Sequence, residues 1–229
     1  MLKFFTRKKS NILESRFQFY TSGFHGDLYL MAFADIFLKQ SDYFIETGSN
    51  VGSTLAYVAR TYPKIQCISC EPDKKAYEQA VKNTSGYSNV SLYNMRSQEL
   101  IRILKSDEKL FDKDVFFWLD AHGYGFDWPL KDEISFITHN FKRAYILIDD
   151  FKVPGLDCFK WDKSGGQECS FDFIKNSIKK ELNLSLYYPN YTETTSKHHP
   201  LTGWGLIMFG QDKEPEIPEN IKNNIRKAL

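Results

Sequence analysis

Apolar runs of about five residues alternate along this chain with amphipathic stretches of about ten. The apolar-rich stretch Gly26 to Lys39 predicts a leading helix. Strands follow at 42–46, 65–70 and about 89–94, with helices at 53–62, about 73–83 (capped by Asp73) and 97–105. Val115 to Asp120 and Ala144 to Asp149 are continuously apolar up to a terminal acid, as in parallel strands covered on both faces. A helix is expected after Pro129 and another at about 170–181. Two last strands are expected at 184–188 and 203–209. Only a loop joins that last pair, so they should run antiparallel, because a parallel pair needs a longer crossover. The pattern predicts an α/β protein: a doubly wound sheet of seven strands, the last antiparallel, with helices on both faces. Residues 40–210 form the expected domain. Residues 1–39 are an accessory segment with the leading helix, and 211–229 a charged tail, a short helix or a fray.

The most informative local string is Tyr43-Phe44-Ile45-Glu46-Thr47-Gly48-Ser49-Asn50-Val51-Gly52-Ser53-Thr54. An apolar run ends in an acid, a two-glycine turn follows, and a helix begins. The next strand ends in Cys70-Glu71-Pro72-Asp73, which puts Glu71 about 20 residues past the turn, the spacing at which an acid reaches the ribose of a nucleotide-like ligand. The glycine order is not that of a dinucleotide fingerprint, since Asn50 stands where backbone would approach a pyrophosphate. There is no phosphate-cradling Lys-Ser/Thr either. An acid before the glycines repels phosphate and suits an ammonium group. The string resembles motif I of the class I S-adenosylmethionine-dependent methyltransferases, and Cys70 to Asp73 resembles their ribose-binding acidic motif. The resemblance spans about residues 40–210 and implies their Rossmann-like fold and S-adenosylmethionine as methyl donor. It also implies a donor-binding set of Glu46, Gly48, Ser49, Asn50, Gly52, Ser53, Thr54, Glu71, Ser97 and Asp120. Glu46 and Gly48 would meet the methionine end, Glu71 the ribose, and Ser97 the adenine. A glycine turn without a cofactor is the bland alternative.

Composition narrows the partners. In 229 residues, 30 Lys and Arg stand against 29 Asp and Glu, which argues against a nucleic-acid surface. No apolar run is long enough for a transmembrane segment. The basic start, with Lys3, Arg7, Lys8 and Lys9, lacks the apolar stretch of a signal peptide. Cys67 and Cys70 mimic a C-x-x-C motif inside a strand, where an offset of three puts them on opposite faces. The four cysteines suggest no disulfide framework, so a reducing, cytoplasmic setting is expected. Self-association into a homo-oligomer stays open.

Two strand ends carry the remaining chemistry: Asp120-Ala121-His122 and Asp149-Asp150. In a doubly wound sheet these ends face one crevice. Clustered carboxylates are costly unless a cation neutralises them, and carboxylates with an imidazole suit Mg²⁺ or Mn²⁺. The layout resembles the macrocin and mycinamicin type of metal-dependent O-methyltransferases, although Asp-Ala-His replaces the Asp-Gly-Asp of that group. The resemblance implies Asp120, Asp149 and Asp150 as metal ligands and Asp120 at the reacting centre. It leaves His122 as a ligand, a base or neither. The alternative for Asp149 and Asp150 is a cap on the following loop. His198-His199 precedes the last strand and borders the same crevice, so His199 is a second candidate base beside His122. His25 is expected to cap the leading helix or to overhang the donor, and His139 to lie on a helix surface. The long segment 152–169 reads as an acceptor lid whose Lys160 and Lys163 would meet an anionic acceptor. The implied activity is O-methylation of a small-molecule or glycan hydroxyl. The competing classes are a non-catalytic nucleoside- or partner-binding protein and a metal-dependent hydrolase.

Overall fold

The computed structural model describes residues 23–122, 128–196 and 199–229. The expectations for the basic start and for His198 lie outside those residues. A 3₁₀ turn, Phe24–Gly26, leads into α1 (Leu28–Leu38). Then come β1 (Tyr43–Thr47), α2 (Ser53–Thr61), β2 (Gln66–Cys70), α3 (Lys74–Thr84), β3 (Val90–Tyr93) and α4 (Ser97–Leu104). β4 (Val115–Leu119), α5 (Leu130–Asn140) and β5 (Ala144–Ile148) complete the parallel part. A small hairpin of β6 (Lys163–Ser164) and β7 (Gln167–Glu168) precedes α6 (Phe171–Ile174). β8 (Leu184–Pro189), β9 (Gly205–Phe209), α7 (Glu219–Lys222) and β10 (Ile225–Lys227) close the chain.

The main sheet has the order β10-β8-β9-β5-β4-β1-β2-β3. β1 pairs in parallel with β2 and β4, and β4 with β5; β9 runs antiparallel between β5 and β8. The expected seven strands are present, and an eighth corrects the count. Residues 225–227 pair antiparallel with 189–187, so the tail ends in an edge strand, not a fray. Ile221 and Ile225 are buried there. Charged neighbours hide so short a strand from any reading of periodicity. The helix expected at 170–181 is also shorter. After Ile174 the chain tightens into a 3₁₀ turn at Lys175–Ser177, and the Lys179 amide donates to Thr138 Oγ1 of α5 at 3.1 Å. That bond lays the segment against α5 where a helix would have continued.

The two faces of β4 explain its unbroken apolar run. Phe116 and Trp118 meet Phe24 on one side, while Phe117 meets Phe141 on the other, as a period of two requires. α1 packs Phe33 and Phe37 onto Trp204, Tyr187 and Tyr145, so the leading helix shares the main core. Cys67 and Cys70 are buried in β2 as free thiols. No helix among the described residues is long and apolar enough to cross a membrane.

Candidate functional site

The carboxyl ends of β1, β2, β4 and β5 open on one cavity of about 630 Å³. Its shape starts with Gly48, whose φ of +81° is left-handed; a Cβ there would stand 2.5 Å from the Asp120 carbonyl oxygen. Only glycine admits so close an approach of two strand ends. The Gly48 and Ser49 amides both donate to the Cys70 carbonyl at 3.0 Å, tying the turn to β2. Glu71 holds the turn from the other side. Its Oε2 accepts from the Asn50 amide at 2.7 Å and its Oε1 from the Asp73 amide at 2.9 Å. Asp73 in turn caps α3 through Ala76.

Of the residues expected to hold a donor, Gly48, Asn50, Glu71, Ser97 and Asp120 line this cavity. Glu46 stands behind the wall, 1% exposed, its Oε2 accepting from Ser69 Oγ at 2.7 Å. Burial pushes its carboxyl up to about 8, the Ser69 bond opposing and the Glu71 charge adding. Ser49 is buried, with no hydrogen-bond partner for its hydroxyl among the described residues. Gly52 and Ser53 begin α2, and Thr54 Oγ1 accepts from the Phe24 amide. These four shape the turn without lining the cavity. Ser97 donates its hydroxyl to Glu133 on α5, whose carboxyl burial pushes up to about 7 against that bond.

At the other end, His25, Asp120 and Asp149 each offer one ligand atom, all within 4.8 Å of one another. His25 does not cap α1; Asp27 does, accepting from the Tyr29 and Leu30 amides. His25 instead reaches Asp149 Oδ2 through Nε2 at 2.5 Å and stacks on His199, with ring centroids 4.0 Å apart. Burial opposes charge on both partners of this contact. Pairing outweighs burial, holding His25 above and Asp149 below their ordinary values. Burial, then the charges of Asp149, Asp150, Glu46 and Asp162, push Asp120 well up. Asp150 stands outside the trio but lines the cavity, pushed up to about 8 by burial and by Asp149 and Asp162.

His122 lines the cavity, and its Nε2 contacts the Asp149 carbonyl at 2.8 Å. A carbonyl only accepts, so Nε2 carries the proton and the lone pair sits on Nδ1. That atom is buried without a hydrogen-bond partner among the described residues. Burial holds the ring below its ordinary value, hence neutral at pH 7. His199 is held low by burial and by His25, with Nδ1 on the Pro200 carbonyl at 3.1 Å. His139 bonds the Ser135 carbonyl on the exposed side of α5.

The lid expectation needs correction in its charges. Lys163 lies over the Trp161 ring at 3.9 Å, Lys152 pairs with Glu168 at 2.7 Å, and Lys160 joins the 201–203 strand lead through its backbone. None of them lines the cavity; Asp162 does. Its amide donates to the Asp150 carbonyl at 3.0 Å, and its carbonyl accepts from the Cys169 amide at 2.9 Å. No periodicity marked Asp162, which sits in an irregular polar loop. His25 was hidden for a related reason, being 124 residues from Asp149 in the chain. What places it is a buried set in which Trp204 Nε1 donates to Tyr191 Oη, and Tyr191 donates to Asp27 Oδ2 at 2.5 Å. Ser196 Oγ adds a bond to the His25 carbonyl at 2.7 Å.

No protein-family model matches the sequence, and no curated protein matches it. Solved structures match in fold. The O-methyltransferase TomG of Streptomyces achromogenes, in complex with SAM, aligns with a TM-score of 0.56 at 13% identity over 80% of this chain and 79% of that one. An O-methyltransferase of Bacillus cereus, in complex with SAH, aligns at 0.55 and 10% identity over 79% of each chain. A spermidine synthase of Thermotoga maritima aligns at 0.51 and 14% identity over 81% of this chain and 60% of that one. The chain therefore shares the Rossmann-like fold of these two O-methyltransferases and of the synthase.

Proposed function

We propose that the protein is an S-adenosylmethionine-dependent methyltransferase acting on a hydroxyl of a small molecule or glycan. The observation that carries this reading is the cavity itself. Glu71 is held rigidly at one end, and the acid and histidine cluster stands at the other, with Gly48 pressed against Asp120 between them. Glu71 keeps free lone pairs on both oxygens after accepting two amides, enough to receive ribose hydroxyls. Asn50 and the Gly48 turn set the approach of the donor's methionine end. S-adenosylmethionine supplies a methyl group activated on a sulfonium, so the protein's own work is alignment and removal of one proton.

His122 is the better placed of the two candidate bases. Its tautomer is set by the Asp149 carbonyl, and its neutral ring presents a lone pair on Nδ1. Transfer of the methyl to the acceptor oxygen would break its bond to the donor's sulfonium sulfur and release S-adenosylhomocysteine, and His122 Nδ1 is the atom that would take the acceptor's proton. His199 stacks on His25 and supports that ring's orientation.

The residues fit a divalent ion at His25, Asp120 and Asp149: two carboxylates and an imidazole converge, and burial and the neighbouring carboxylates disfavour charge on Asp120 until a cation offsets them. Bound there, Mg²⁺ or Mn²⁺ would lower the pKa of a coordinated acceptor hydroxyl. Asp150, expected as a third acid ligand, gives its place in this trio to His25.

Calorimetric titration with S-adenosylhomocysteine tests the reading. Binding to wild type and its weakening in Glu71→Ala are expected. A folded protein that binds neither S-adenosylhomocysteine nor S-adenosylmethionine would overturn it in favour of a non-catalytic binding protein. Chelator-treated enzyme with undiminished turnover would remove the metal from the reading and leave the methyl transfer.

A further inference from the structure

We infer that the acceptor carries a positively charged amine, received by Asp150 and Asp162 at the reacting end of the cavity. This rests on the methyltransferase reading and adds the charge class of its substrate. The reacting end is walled by Asp120, Ala121, His122, Asp150 and Asp162. Among the described residues there, no Lys or Arg lines it; Arg96 belongs to the far end, beside Ser97. The 152–169 segment is where a compensating cation would come from, but Lys152 pairs with Glu168, Lys163 lies over the Trp161 ring, and Lys160, exposed, does not line the cavity. The segment contributes a carboxylate instead, and backbone bonds on both sides of Asp162 hold it against Asp150 and Cys169.

A divalent ion does not remove the excess. Held by His25, Asp120 and Asp149, it would balance two carboxylates and leave Asp150 and Asp162. Neither of these is in an ion pair among the described residues. A second feature points to a ligand at this end: buried His122 Nδ1 has no partner there, and a polar group left in that state costs free energy until something fills it. Two acids on adjoining walls of a partly desolvated cavity resist ionising together until a cation is seated between them, so the pair rejects anions and receives an ammonium group by charge-assisted hydrogen bonds.

The test titrates the full chain, saturated with S-adenosylhomocysteine, with methyl 2-amino-2-deoxyglucoside, with its N-acetyl counterpart and with 1,4-diaminobutane. Each titration is run with Mg²⁺ and with chelator. Both amines are expected to bind, the N-acetyl sugar about ten-fold more weakly or not at all, with Mg²⁺ changing little. Asp162→Asn and Asp150→Asn should each weaken amine binding about ten-fold while S-adenosylhomocysteine affinity stays the same. Amine binding that vanishes on adding Mg²⁺ would mean that these acids serve the ion, and would overturn the inference. So would amines that bind no better than the N-acetyl sugar, or that bind both variants as well as wild type. Melting curves of the two variants confirm that they are folded. Loss of S-adenosylhomocysteine binding in wild type is a separate outcome that strikes the methyltransferase reading, and titration of the donor-free protein still reports on the amine subsite.

Discussion

Glu71 does two jobs that a sequence spacing alone does not separate. It faces the cavity, and it holds the Asn50 and Asp73 amides. Glu71→Ala should therefore weaken donor binding by about 1–3 kcal/mol, and should also lower stability by a similar amount through two orphaned amides. Calorimetry reads the first effect and urea unfolding the second; unchanged donor affinity in the folded variant would refute the ribose role. Glu46 makes a different prediction, in pH. Its carboxyl titrates at about 8 when folded, against 4.5 unfolded. Between those values the unfolded chain releases a proton that the folded chain keeps, so stability falls as pH rises from about 4.5 to 8. Glu133, pushed up to about 7, contributes with the same sign. Glu46→Gln should flatten that slope and be more stable than wild type at pH 8 in urea unfolding, by on the order of a few kcal/mol. A slope as steep in the variant as in wild type would place Glu46 outside the linkage.

The elements show why the glycine turn is unforgiving. Gly48 has a positive φ and touches the backbone at the end of β4, two separate reasons to exclude a side chain. Gly48→Ala should cost about 2 kcal/mol or more and should weaken donor binding as well, since relief of the clash pushes Asp120 away. Thermal melts and calorimetry together check this; a variant as stable as wild type would mean that the turn relaxes. The turn, the strands flanking it and the acid after β2 were legible in the sequence because each is a local pattern of a few neighbours. The short α6 and the edge strand β10 were not. Their residues carry little periodicity of their own, and a bond to Thr138 and a free edge on β8 decide them.

At the scale of the whole molecule, one cavity couples ligand to stability. If S-adenosylhomocysteine binds the folded state alone, a concentration 100-fold above its Kd should add about 2.7 kcal/mol. For a domain of this size that is a rise in melting temperature of roughly 5–10 °C. A melting temperature unmoved at saturating ligand would argue that the cavity binds something else.

The α/β order, the parallel centre, the Gly48 turn and the acids Glu71, Asp120, Asp149 and Asp150 followed from the sequence alone. Each is set by strand and turn physics acting over a few residues. Tertiary structure alone decided that His25 joins Asp120 and Asp149, that Glu46 stands behind the wall, and that the segment 152–169 contributes Asp162 where lysines were expected. Those outcomes depend on contacts between segments far apart in the chain. The Asp27, Tyr191 and Trp204 network that delivers His25 has no local pattern to announce it.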